Sequence, residues 1–215
     1  MTAEINREKI VETARRDLER NLFESNKVPI MFYEVRRDES GNFVPLGKEV
    51  FTWELSEGYY LSIGRSRGEE YYELYYPERR VRTETGKEVM LDYTFVRVGK
   101  IGTEDSPIKL KRLVMMGRYM APEEEVYDAM SRYQAEIYIK KVGAKYAVAI
   151  KNVGRPGQRI GVYDRKGNKI RDIAYGEEAL VGKGAYYLEF PGAYRLEGPD
   201  YSIAKKDILL GMILL

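Results

Sequence analysis

Two arginines and a serine are spaced so that their side chains could hold an anion together. Arg118 follows Gly117 at the end of one predicted strand, and Ser131 and Arg132 begin the next, across a short acidic loop. A guanidinium group makes paired, charge-assisted hydrogen bonds to phosphate oxygens, and a serine hydroxyl adds a further donor. Because rigid β-scaffolds commonly carry binding groups on their loops, this spacing predicts an oxyanion site at one loop face.

A wider pattern surrounds these residues. Residues 131–134 read Ser-Arg-Tyr-Gln, and Gly161 lies in a predicted strand that runs into a Gly-Asn turn. Together with the Gly-Arg pair, these motifs resemble the forkhead-associated (FHA) family, whose pattern is Gly-Arg, then Ser-Arg-x-His, then an Asn-Gly turn. The resemblance covers roughly residues 92–191. It implies an antiparallel β-sandwich that binds a phosphorylated threonine on a partner protein.

The resemblance also implies a role for each matched residue. Arg118 would meet the phosphate, Ser131 would bond one of its oxygens, and Arg132 would follow the serine as in the family motif. The supporting positions are Gly117, Gln134 and Gly161.

Two positions depart from the family pattern. Gln134 replaces the histidine that braces the serine loop, and a glutamine can still donate and accept hydrogen bonds there. Ile160 replaces an asparagine that clamps the peptide main chain, although Arg155 and Arg159 on the same loop could supply charge. These departures favour a second hypothesis, in which the scaffold is kept, the phosphate pocket has decayed, and the chain is a structural or assembly protein.

A second Gly-Arg pair leaves the register of the motif open. Arg65 follows Gly64 and precedes Ser66 at the end of another predicted strand, so it could take the place of Arg118. A long insertion would then separate Arg65 from Ser131, whereas the gap from Arg118 to Ser131 is close to the family spacing. We therefore rank the Arg118 register first and the register of Arg65 and Ser66 second.

Short strands with regular turn signals must position these residues. Residues 3–23 carry apolar side chains at helical spacing, which predicts an amphipathic helix. Short apolar runs then recur without βαβ alternation, which favours a mainly β fold, an FHA-like antiparallel β-sandwich with additional strands. The predicted units are an N-terminal helix (1–27), a β-rich extension or insertion (28–91), the FHA-like sandwich (92–192) and a C-terminal apolar tail (193–215). The apolar run 208–215 is expected to pack into the core, or alternatively to form a homo-oligomer contact.

Composition excludes several classes of protein. The 215 residues include no histidine and no cysteine, so disulfides, thiolate metal sites and histidine-based catalysis are ruled out. No nucleophile–base pair or metal cluster can be assembled, and we therefore predict a non-enzymatic protein without metal or cofactor. A net charge of +2 makes nucleic acid an unfavoured partner, despite the basic residues at 109–112.

Targeting signals and membrane spans are also not apparent. The first twenty residues are charged throughout, and no apolar run approaches the roughly 20 residues that a membrane helix needs. We therefore expect a cytoplasmic protein without membrane contact. Abundant lysine, glutamate and arginine further indicate a source that lives at high temperature.

Overall fold

Antiparallel β-strands make up most of the described chain, which confirms the mainly β fold. The structure is a computed structural model that describes residues 18–66, 80–82, 88–90, 93–101, 131, 133–197 and 202–215. The strands in these ranges are β1 (Lys27–Arg37), β2 (Phe43–Ser56), β3 (Tyr59–Ser66), β4 (Arg80–Arg82), β5 (Glu88–Met90), β6 (Tyr93–Lys100), β7 (Ala135–Val142), β8 (Lys145–Asn152), β9 (Ile160–Asp164), β10 (Lys169–Ile173), β11 (Glu178–Val181), β12 (Gly184–Glu197) and β13 (Ser202–Leu214). Most of the predicted N-terminal helix falls on residues 1–17, outside the described residues, and residues 18–20 are helical.

Two larger sheets contain most of these strands. The six-stranded sheet has the order β10-β9-β12-β13-β1-β2, and the five-stranded sheet has the order β11-β8-β7-β3-β6, while β4 and β5 pair separately. Neighbouring strands in both sheets are antiparallel. Strands from 28–91 and from 193–215 lie in the same sheets as strands from 92–192. Both larger sheets are therefore built from strands that lie far apart along the chain.

Apolar side chains from both sheets form one core cluster. Successive side chains of a strand point to opposite faces, and accordingly alternate residues are buried in the first part of β1 and in residues 208–214 of β13. These buried residues are Val28, Ile30 and Phe32 in β1 and Ile208, Leu210, Met212 and Leu214 in β13. Of the two interpretations of the apolar run 208–215, the packed strand is confirmed, because β13 lies between β12 and β1.

One end of the five-stranded sheet gathers the ends of three strands. Ile63 of β3 pairs with Ala135 of β7, and the Gln134 N–H donates to the Ile63 carbonyl at 2.8 Å. Ala135 also pairs with Asn152, the last residue of β8. The last residues of β3 (64–66), the described residues before β7 and the residues after β8 therefore lie at the same end of this sheet.

Candidate functional site

Gln134 closes the segment that carries Ser131. The Ser131 N–H donates to Gln134 Oε1 at 3.0 Å, and both residues are buried. The Gln134 main chain is held on both sides, since its N–H donates to Ile63 and its carbonyl accepts from the Val153 N–H at 3.0 Å. The side chain of Gln134 therefore fixes the serine segment against two neighbouring strands.

Asn152 connects this segment to two further loops. Its Oδ1 accepts hydrogen bonds from Gln134 Nε2 at 2.9 Å and from the Gly154 N–H at 3.1 Å. Its Nδ2 donates to the main-chain carbonyls of Gln158 at 2.8 Å and Ile173 at 3.0 Å. Since the Asn152 side chain is fully buried, these four bonds satisfy an amide that has no access to water.

Gly154 leaves the space that Gln134 occupies. A Cβ atom at position 154 would lie 2.2 Å from Gln134 Nε2 and 2.7 Å from its Cδ. Any larger residue would displace the Gln134 side chain, which is tied to Ser131 and Asn152 at its two ends. A glycine is therefore required for the close approach of this loop to the amide.

The Ser131 hydroxyl is bonded within the protein. Its Oγ lies 2.7 Å from Gln158 Oε1, and the Arg155 N–H donates to the same Gln158 atom at 3.1 Å. A main-chain N–H can only donate, so the atom it meets must be the amide oxygen, and the Ser131 hydroxyl must also be a donor. Two donors from separate loops thus converge on one oxygen.

A tight turn places Gln158 at this point. The Gln158 N–H donates to the Arg155 carbonyl at 3.0 Å, and Gly157 has a φ of +87° after Pro156. Proline followed by a glycine with positive φ is the signature of a type II turn. The turn folds residue 158 back over residue 155, where its side chain accepts from the Arg155 N–H.

The predicted residues divide into three groups. Gly117, Arg118 and Arg132 lie outside the described residues. Ser131 and Gln134 lie together, as described above. Gly161 lies in β9, where an added Cβ would be 2.8 Å from the Tyr163 ring, and it packs in the six-stranded sheet.

The alternative register lies beside the serine segment. Arg65 and Ser66 are the last two residues of β3, and both pair with β6. Gly64 and Arg65 directly follow Ile63, whose carbonyl accepts the Gln134 N–H. The pairing of β3 with β7 therefore brings the backbone of this Gly-Arg pair close to Gln134.

Sequence reasoning missed the residues that hold the site together. Asn152 ends an apolar strand and resembles an ordinary turn residue. Gln158 is preceded by the Pro156–Gly157 pair, and no other residue near it in the sequence indicates a special role. That Pro-Gly pair was an available signal for a tight turn. Arg159, one of the two loop arginines that could supply charge, forms an ion pair with Asp172 at 2.5 Å.

No group of histidine, cysteine or carboxylate side chains suited to a metal ion occurs in the described part of the chain. Among the same residues, no helix has the length and apolar character needed to cross a bilayer. No protein-family model matches the sequence, and no significant match was found among curated proteins or solved structures.

Proposed function

We propose that this chain is a non-enzymatic, FHA-like module that binds a phosphorylated threonine on a partner protein. The observation that carries the proposal is the register of β3 and β7, in which Ile63 pairs with Ala135. This register supports an arrangement in which a Gly-Arg pair lies close to a Ser-Arg segment that is far away in the sequence. A phosphate site built from two loops requires such proximity.

The sheets and the bracing residues support the same function. Two antiparallel sheets of six and five strands that share a core suit the sandwich that the resemblance implies. Gln134 bonds to Ser131 and Asn152 and so braces the serine loop, the role that the family assigns to a histidine. The loss of that histidine is therefore compatible with an ordered serine loop.

We infer that Arg65 is the arginine that meets the phosphate, with Arg118 as the second candidate. Arg65 lies two residues after Ile63, whose carbonyl accepts the Gln134 N–H, and an insertion between β3 and β7 would account for its large sequence distance from Ser131. Ser131 and Arg132 complete the proposed set of donors. Ser66 remains a supporting position of this register.

Peptide binding tests the proposal. The probes are a peptide pool with a fixed central phosphothreonine and randomised flanks, and the same pool without phosphate. Fluorescence anisotropy should show roughly micromolar binding of the phosphorylated pool only. Arg65→Ala should weaken this binding at least about tenfold because it removes charge-assisted bonds to the phosphate.

Two further variants sharpen the measurement. Arg118→Ala should still bind the phosphorylated pool in preference to the unphosphorylated one if Arg65 is the phosphate arginine. Arg165→Ala is the control, because Arg165 lies in the exposed β9–β10 turn, and it should bind like the unaltered protein. Equal affinity for the phosphorylated and unphosphorylated pools would reject phosphothreonine recognition. If Arg118→Ala loses the preference for the phosphorylated pool and Arg65→Ala keeps it, Arg118 is the arginine that meets the phosphate.

A structural or assembly role is the second candidate function. Ile160, at the position of the peptide-clamping asparagine, is fully buried in the core. It cannot reach a ligand without leaving the core, so a main-chain clamp at this position is lost. Sedimentation at several protein concentrations tests assembly into a homo-oligomer, and a strict monomer that binds the phosphorylated pool would exclude this candidate.

A further inference from the structure

The hydrogen bonds of Gln158 form an arrangement that suits an anion better than an amide. Gln158 Oε1 receives the Ser131 hydroxyl and the Arg155 N–H at 2.7 and 3.1 Å. A hydroxyl and a main-chain N–H aimed at one oxygen are the donors that proteins use to hold phosphate oxygens. Ser131 is also the serine that the proposed function assigns to the phosphate.

We infer that Gln158 Oε1 occupies the position of one phosphate oxygen when no ligand is bound. The ligand subsite then consists of the Ser131 hydroxyl and the Arg155 N–H, and a phosphate must displace the Gln158 side chain to reach them. This inference rests on the proposed function, because it names a subsite and an internal competitor within the same site.

The main chain around Gln158 allows such a displacement. Its carbonyl accepts from Asn152 Nδ2 and its N–H donates to the Arg155 carbonyl, so the backbone is held at two points. Neither bond involves the Gln158 side chain, which is only partly buried. Rotation of this side chain can therefore free both donors of their acceptor while the turn stays in place.

The chemistry of the two acceptors makes the competition selective. Hydrogen bonds to a phosphate are charge-assisted and stronger than those to a neutral amide oxygen. A dianion can thus replace Gln158, whereas a neutral hydroxyl of unphosphorylated threonine gains little over the amide. The internal contact lowers the affinity for every ligand by the same factor, so a ligand whose intrinsic affinity is low no longer binds at the concentrations at which a dianion does.

Substitution of Gln158 tests the inference. Gln158→Ala removes the competing oxygen, so the phosphothreonine pool should bind about tenfold tighter than to the unaltered protein, the value of one to two net hydrogen bonds. Titration with inorganic phosphate, followed by the amide NMR signal of Arg155, should show a shift at lower phosphate concentration in this variant. Ser131→Ala in the Gln158→Ala background should remove most of the gain.

A second substitution at the same position distinguishes an effect on binding from an effect on folding. Gln158→Glu keeps the acceptor oxygen and adds a negative charge, so it should fold and bind the phosphorylated pool more weakly than the unaltered protein. Unchanged or weaker binding by folded Gln158→Ala, with an unshifted Arg155 amide, would overturn the inference while leaving the proposed function intact. Phosphate binding at Arg155 in Gln158→Ala, without any phosphopeptide preference in the unaltered protein, would support the subsite and reject the proposed function.

Discussion

Buried amide side chains connect the loops of the candidate site. Gln134 and Asn152 are each fully buried, and together they join Ser131, Gly154 and the carbonyl of Gln158. An amide offers a donor and an acceptor at every pH, whereas an imidazole changes charge near neutrality. Because Gln134 carries an amide, its bracing of the serine segment is independent of pH between about 5 and 8.

The first residue-scale prediction concerns Asn152. Asn152→Ala should lower the free energy of unfolding by about 2–4 kcal/mol, because it leaves several buried donors and acceptors without partners. Guanidinium denaturation followed by circular dichroism measures the change. Asn26→Ala, at an exposed asparagine, is the control and should change the value by less than about 0.5 kcal/mol. A similar loss in the free energy of unfolding for the two variants would show that the hydrogen bonds of the buried Asn152 amide do not stabilise the fold.

Two hairpins of the six-stranded sheet use the same turn. Asp38 and Asp164 each accept main-chain N–H bonds from the residues two and four positions later, including Asn42 and Asn168. These hydrogen bonds hold the pKa of the Asp38 carboxyl below its usual range, the largest contribution coming from the Asn42 main chain.

The tip of the first hairpin packs on the second through Phe43, whose ring centroid lies 4.8 Å from that of Tyr163.

The contact between these hairpins gives an element-scale prediction. Phe43→Ala removes the ring that stacks on Tyr187 at 4.5 Å and lies under the Arg37 guanidinium at 4.2 Å. We expect a loss of about 1–3 kcal/mol in the free energy of unfolding and faster amide hydrogen exchange at the hairpin tip. Leu46→Ala, on the same hairpin with 47% of its surface exposed, should have little effect. Equal exchange rates in both variants would argue against the contact.

The sequence predicts strands better than it predicts their partners. β1 and β7 follow from the alternation of buried and exposed residues, because their inner faces repeat every second position. β10 lies at a sheet edge and carries three charged residues among five, so alternation does not reveal it. The pairing of β3 with β7 joins residues that are about seventy positions apart, and the spacing of short motifs contains no information about such a contact.

At the scale of the whole molecule, the absence of histidine removes the usual source of pH dependence near neutrality. Several tyrosines instead have a pKa above the ordinary value near 10. Burial, together with Tyr187, raises the pKa of Tyr33 to about 12, and burial with Glu178 raises the pKa of Tyr138 to about 12. Burial also raises the pKa of Tyr186.

These shifts predict the alkaline limit of stability. A tyrosine whose folded pKa lies above its unfolded value near 10 contributes stability that is fully present below about pH 10 and is lost as the pH rises toward 12. Urea denaturation at a series of pH values should show a falling free energy of unfolding above about pH 10. The fall should be shallower in Tyr33→Phe.

Tyr175→Phe is the control for this series, because Tyr175 is exposed and has 52% of its surface accessible. Its profile should follow that of the unaltered protein. A Tyr33→Phe profile as steep as that of the control would contradict the assignment of the alkaline loss to Tyr33.

The central position of β13 constrains how the protein is made in the cell. β1 and β2 emerge from the ribosome long before residues 202–214, so the nascent six-stranded sheet consists of two unjoined pieces, β2-β1 and β12-β9-β10. Until β13 arrives, both pieces present open strand edges, which are templates for pairing with other chains. The growing chain is therefore open to edge-to-edge pairing with other chains until residues 202–214 have emerged and joined the two pieces.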